Sequence, residues 1–293
     1  MHIFHRSIAL VAATCLFVAG PIVRGEANPV PQRQVQQIAV PPVSTLVNVL
    51  KIDAVIEVMR QEGLRYGTDM EAELFPGKGG ASWAQVVGLI YDAPTMKARF
   101  EAAFAKQLVG AESSFPAIDA FFSAGLGQRF LSLEVEARRS LLDESVEDAA
   151  KARVEDMMAE AAPRFDALQN FAQTNDLIEM NIMGAINSNL AFFHGMAEVG
   201  ALDQEMTEED MLMDVWSQEP DIRAETESWI YPYLALAYGP LSDEDMAAYL
   251  AFSETPEGQK LNAALFGAFD AVFSSISRDL GRAAARQMLG EDI

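Results

Sequence analysis

The feature that most restricts the fold of this chain is a helical period interrupted at intervals by helix-start residues. Behind Thr255-Pro256-Glu257, the residues Leu261, Leu265, Phe269, Val272, Ile276 and Leu280 recur at steps of three and four, which places them on one face of a single helix. Proline suits the first turn because its missing N–H would have no partner there, and the threonine oxygen accepts from an orphaned amide. The arrangement recurs upstream. Pro94 precedes the stripe Met96, Phe100, Phe104 and Leu108, which ends near Gly110. Ser82-Trp83-Ala84-Gln85 has the form of a capping box and predicts a helix from there to Tyr91. Thr207-Glu208-Glu209-Asp210 and Ser242-Asp243-Glu244-Asp245 each set a hydroxyl before acidic residues that complement the helix dipole. β-Branched residues form no alternating runs. The fold class is therefore all-α, a helical bundle.

Residues 1–27 follow a different pattern and read as a secretory signal peptide. A basic start leads into the apolar run Ile8–Ala19, then Gly20-Pro21 and the small-residue site Gly25-Glu26-Ala27, with cleavage expected after Ala27. The run is too short for a permanent membrane span. Cleavage would remove Cys15, His2 and His5, leaving His194 as the one imidazole and no thiol for a disulfide. It would also leave 19 basic and 42 acidic residues, a formal charge of −23. Nucleic acid and anionic lipid are excluded as partners, since both are held by Lys and Arg. No later stretch is apolar enough for stable membrane insertion. Pro29, Pro31, Pro41 and Pro42 lie among Gln and Val in residues 28–43, the composition of a disordered linker.

The helical pattern is written twice. Phe121-x5-Gly127-Gln128-Arg129-Phe130 matches Phe252-x5-Gly258-Gln259-Lys260-Leu261 at an offset of 131 residues, and Phe100, Phe104 and Gly110 match Trp229, Tyr233 and Gly239 at 129. Val86, Ile90, Pro94 and Met96 match Leu212, Trp216, Pro220 and Ile222 at 126. The expectation is two duplicated multi-helix units, 44–165 and 166–293. The acidic segment from Asp143 to Ala162 forms a connecting helix that Pro163 breaks or kinks.

Phe252-Ser253-Glu254-Thr255-Pro256-Glu257-Gly258-Gln259-Lys260, after Leu241-Ser242-Asp243-Glu244-Asp245, resembles the signature of the bacterial exported family known as domain of unknown function 2059. The resemblance covers about residues 225–285; Ser253 stands for the usual Tyr and Thr255 for the usual Ser. It implies an exported helical protein of Gram-negative bacteria, hence periplasmic, and carries over no active site.

The residues define no reaction. The Gly-Gln motif reads first as a joint between two helices, with Gln128, Arg129, Gln259 and Lys260 as candidate binding residues. Phe75-Pro76-Gly77-Lys78-Gly79-Gly80 runs into a helix start. Free amides there, with Lys78, could hold an anion, but no Walker pattern is present and a plain connecting loop is the simpler reading. His194 sits in the apolar stretch Leu190–Met196 without partners for a catalytic triad, and is carried as a binding candidate. No Zn, Cu or Ca ligand pattern stands out, so no metal or cofactor is expected. The function expected is non-enzymatic binding of another envelope protein, or self-association, through an apolar groove or helix face. Trp216, Trp229, Tyr231 and Tyr233 are its candidate exposed aromatics. The alternative is a hydrolase using His194 or paired carboxylates.

Overall fold

Helix is the only regular secondary structure among the described residues, 42–202 and 206–290, of this computed structural model. The expected leader and nearly all of the expected linker lie outside them. Chain order runs α1 (Val43–Val49), α2 (Ile52–Leu74), α3 (Gly80–Ile90) and α4 (Ala93–Gln107), then a 3-10 turn at Glu112–Ser114. It continues through α5 (Phe115–Ser123), α6 (Gly125–Ser140), α7 (Glu144–Ala159), α8 (Pro163–Thr174) and α9 (Leu177–Glu198). The chain closes with α10 (Glu208–Ser217), α11 (Glu219–Tyr238), α12 (Asp243–Ser253) and α13 (Pro256–Leu289).

Three of the expected starts carry the expected caps. Thr207 and Asp210 form a reciprocal capping box, Ser242 accepts from the Asp245 amide, and Thr255 accepts from the Gly258 amide at 3.0 Å. One start departs from expectation. Helix α3 begins two residues ahead of Ser82, because the Glu71 carboxylate on α2 accepts from the Gly79 and Gly80 amides at 3.0 and 2.8 Å. A side chain from the neighbouring helix thus supplies what the serine was expected to supply. Pro163 does not break the connecting helix either. Helix α7 stops at Ala159, Ala161 takes φ 47°, and Pro163 opens α8. The first helix begins at Val43, inside the expected linker.

The apolar stripes meet in one main core that runs from Leu46 to Ala285 and draws on both expected units. Met96, Phe100, Phe104 and Leu108 are buried, as are all six stripe residues of α13. Rings from the two halves pack directly: Phe100 lies 4.7 Å from Phe269, and Phe130 stacks on Tyr249 at 4.2 Å. At 34 residues, α13 is the longest helix, about 50 Å. It packs mainly along α9 and α4. Helices α9 and α13 cross backbone against backbone. A Cβ on Gly195 would stand 2.2 Å from the Arg278 carbonyl oxygen, and one on Gly281 would stand 2.2 Å from that of Phe192. A smaller cluster of Ile182, Ile186, Phe193, Met211, Val215 and Ile222 seats α10 on α9 and α11. Among the described residues no helix is long and apolar enough to cross a membrane.

Candidate functional site

The Gly-Gln motifs are joints. A Cβ on Gly127 would lie 2.2 Å from the Phe121 carbonyl oxygen, and one on Gly258 would lie 2.3 Å from that of Phe252, so glycine lets each helix fold back onto the end of the one before it. Gln128 Nε2 donates to the carbonyls of Phe122 at 2.7 Å and Val49 at 2.9 Å, tying the α5–α6 joint to α1. Arg129 reaches across to Asp245 at 2.9 Å and to the Pro240 carbonyl at 2.7 Å. Gln259 is buried and Lys260 half-buried at the second joint. The joints meet through Phe121 and Phe252, stacked at 3.9 Å.

The other two candidates have separate surroundings. His194 Nε2 lies 2.9 Å from Glu208 Oε2, so its one described polar contact is with the start of α10. Lys78 is exposed, and the neighbouring amides that would hold an anion already donate to Glu71. Of the candidate aromatics, Trp216 is 49 % exposed and Trp229 and Tyr231 are half-buried. Tyr233 was expected on the surface but is only 3 % exposed, because that face of α11 packs into the core.

None of Lys78, Gln128, Arg129, His194, Gln259 or Lys260 lines the large cleft of this fold, about 1540 Å³. The cleft opens between α2, α7, α10 and α11 and reaches down to α9 and α13. Its floor is Met59, Tyr91, Phe192, Phe193, Tyr233 and Phe273, all buried, with Tyr66 and Trp229 half-buried on the walls. Carboxylates rim it: Asp69 from α2, Glu144 and Asp148 from α7, Asp214 from α10, and Asp221 and Glu225 from α11.

Of the three cations of the lining, two are held in ion pairs and the third contacts a backbone carbonyl. Arg138 donates through Nε and Nη2 to Glu62 at 2.8 and 2.6 Å, Lys151 pairs with Glu147 at 2.6 Å, and Arg65 donates to the Leu142 carbonyl. Among the described residues Asp69, Glu144, Asp148, Asp214 and Asp221 take part in no ion pair. Burial, and then nearby glutamates, hold the Tyr66 phenol well above its usual range, and burial does the same for Tyr91 and Tyr233. The walls are thus neutral aromatic surface beneath a negative rim. Pro232, inside α11, has no N–H for the carbonyl of Ser228 four residues back, and both residues line the cleft. The indole N–H of Trp229 is shielded from solvent without an acceptor.

One buried site was not singled out from the sequence. Glu134 is 8 % exposed, and its Oε1 accepts from the hydroxyls of Tyr238 and Tyr249, each at 2.8 Å. Burial pushes this carboxyl up to about 7, against the two tyrosine hydrogen bonds that lower it. A signal was present. Glu134 and Arg138 are charged residues four apart on the apolar stripe of α6 that includes Phe130 and Leu131.

Among the described residues no group of three or more His, Cys, Asp or Glu side chains is placed to hold a metal ion. Comparison with protein-family models, curated proteins and solved structures gives no match.

Proposed function

We propose that this chain is an exported, non-enzymatic binding protein of the cell envelope, and that the cleft is its working surface. One observation carries the reading. Two of the three cations of the cleft are held in ion pairs, while five carboxylates of its rim have no ionic partner among the described residues. Nearby aromatic side chains add apolar binding surface. The N-terminal pattern of residues 1–27 and the resemblance to domain of unknown function 2059 support export to the periplasm.

The duplication belongs to the same proposal, with α1–α6 and α8–α13 as the two copies and α7 as the connector. This moves the boundary from residue 166 to Pro163. Several correspondences support it. Lys51 and Asp176 are both non-glycine residues at left-handed φ, 56° and 44°, each the second of the two residues between the first and second helices of its copy. The neighbours α1–α2, α1–α4, α1–α5, α2–α3, α2–α4 and α5–α6 have counterparts in α8–α9, α8–α11, α8–α12, α9–α10, α9–α11 and α12–α13. The last helix of each copy also crosses to the fourth helix of the other, α6 onto α11 and α13 onto α4. The copies differ where α13 runs on unbroken while the first copy breaks after Ser140 and turns into α7. Leu141, Leu142, Glu144 and Asp148 at that break line the cleft. The open site is thus the place where one copy lacks its covering helix.

A photocrosslinking residue placed at Asp221, on the rim, tests the proposal against the same residue at Glu155, exposed on α7 and outside the lining. In periplasm-loaded cells the Asp221 position is expected to yield a discrete adduct and the Glu155 position none. Equal labelling at both, or recovery of the chain only in the cytoplasm, would overturn it.

A further inference from the structure

We infer that the cleft receives a basic amphipathic helix of about three turns, supplied by a different protein. This rests on the reading of the cleft as a binding surface.

Size points to a chain segment. Small-molecule pockets occupy about 300–1,000 Å³, and this cleft is about 1540 Å³. A helix with its side chains is about 10–12 Å across, so a cylinder of that volume is roughly 14–20 Å long, about nine to thirteen residues. Chemistry points to its composition. The apolar floor matches a stripe at i, i+3, i+4 and i+7. Carboxylates from four helices line it, Asp69 on α2, Asp148 on α7, Asp214 on α10 and Asp221 on α11, so Lys or Arg is favoured on the polar part of the guest. Tyr66 and Trp229 offer ring faces to the same cations. A second copy of this chain is disfavoured as occupant, because at a formal charge of −22 each copy repels the other.

The test uses the full exported chain and three synthetic thirteen-residue peptides. The first has Leu on a helical stripe and Lys on its flanks, the second has Glu in place of Lys, and the third is the first in scrambled order. Titration calorimetry is expected to show binding of the first, with the other two at least tenfold weaker. Ala224→Trp, which plugs an exposed position of the lining, should abolish binding. The triple variant Asp148→Asn, Asp214→Asn, Asp221→Asn should weaken it about tenfold and flatten its salt dependence, with circular dichroism unchanged. Equal binding of the scrambled peptide would show nonspecific attraction to an acidic surface and overturn the inference. Nile red, a neutral apolar dye, separates the two levels. Dye binding lost in Ala224→Trp, with no specific peptide binding, refutes the helix and keeps the binding surface; dye and peptide both indifferent to Ala224→Trp refute both. A sedimentation shift to dimers that Ala224→Trp abolishes would assign the cleft to self-association and also overturn the inference.

Discussion

Replacing Glu134 by glutamine isolates a single buried titration. The carboxyl is raised from an ordinary 4.5 to about 7 in the folded protein. Between these two pH values the folded chain keeps a proton that the unfolded chain releases, so the stability linked to it is complete below 4.5 and declines as pH rises to 7. A span of about 2.5 pH units at 1.36 kcal/mol each amounts to about 3 kcal/mol. Glutamine preserves shape and keeps an acceptor for the hydroxyls of Tyr238 and Tyr249, but cannot ionise. The stability of Glu134→Gln relative to the parent should therefore improve by about 3 kcal/mol between pH 4.5 and pH 8. Carboxyls held below their ordinary range by hydrogen bonds, such as Glu179 and Glu198 by arginines and Asp210 by Thr207, lose stability as pH falls. They are present in both proteins and cancel in the difference. Urea unfolding of the two proteins in parallel at pH 4.5, 6 and 8, followed by circular dichroism, measures it. A difference constant to within about 0.5 kcal/mol across that range would refute the assignment of a raised, burial-driven titration to Glu134.

Five other outcomes are expected. Gly127→Ala and Gly258→Ala should each cost at least about 2 kcal/mol, since each added Cβ would meet a backbone carbonyl. Gly88→Ala and Gly184→Ala, in open helical positions, should stabilise by about 0.5–1 kcal/mol in the same urea assay. Arg138→Met should cost about 2 kcal/mol by leaving Glu62 unpaired, and adding Glu62→Gln should restore much of the loss in a double-mutant cycle. His194→Ala should change stability by less than about 1 kcal/mol, because its pair with Glu208 is partly exposed, and should leave cleft binding intact. Fragments 28–162 and 163–293 should each be largely unfolded alone by circular dichroism and regain helix when mixed, because α6 and α13 each pack on the other fragment.

The fold class, the stripes of α4 and α13, and the starts of α10, α12 and α13 were legible in the chain. Each depends on residues within about four positions of one another, where helix period and capping act. The Gly-Gln motif was legible as a joint for the same reason. Its polar residues were harder to read: Gln128 is spent on Val49, 79 positions away, and Arg129 on Asp245, 116 away. The start of α3 was misplaced because its cap comes from Glu71 on the preceding helix rather than from the local serine. Glu134 was visible as a charge on an apolar stripe, yet its hydroxyl partners lie 104 and 115 positions along the chain.

The cleft depends on the tertiary structure altogether. Asp69, Asp148, Asp214 and Asp221 look in sequence like ordinary solvated acids on separate helices, and Trp229 like one aromatic among several. Local periodicity determines which face of each helix is apolar, but it carries no information on which faces remain uncovered after packing. That was decided by packing, which left a cleft with an aromatic floor and carboxylates drawn from four helices.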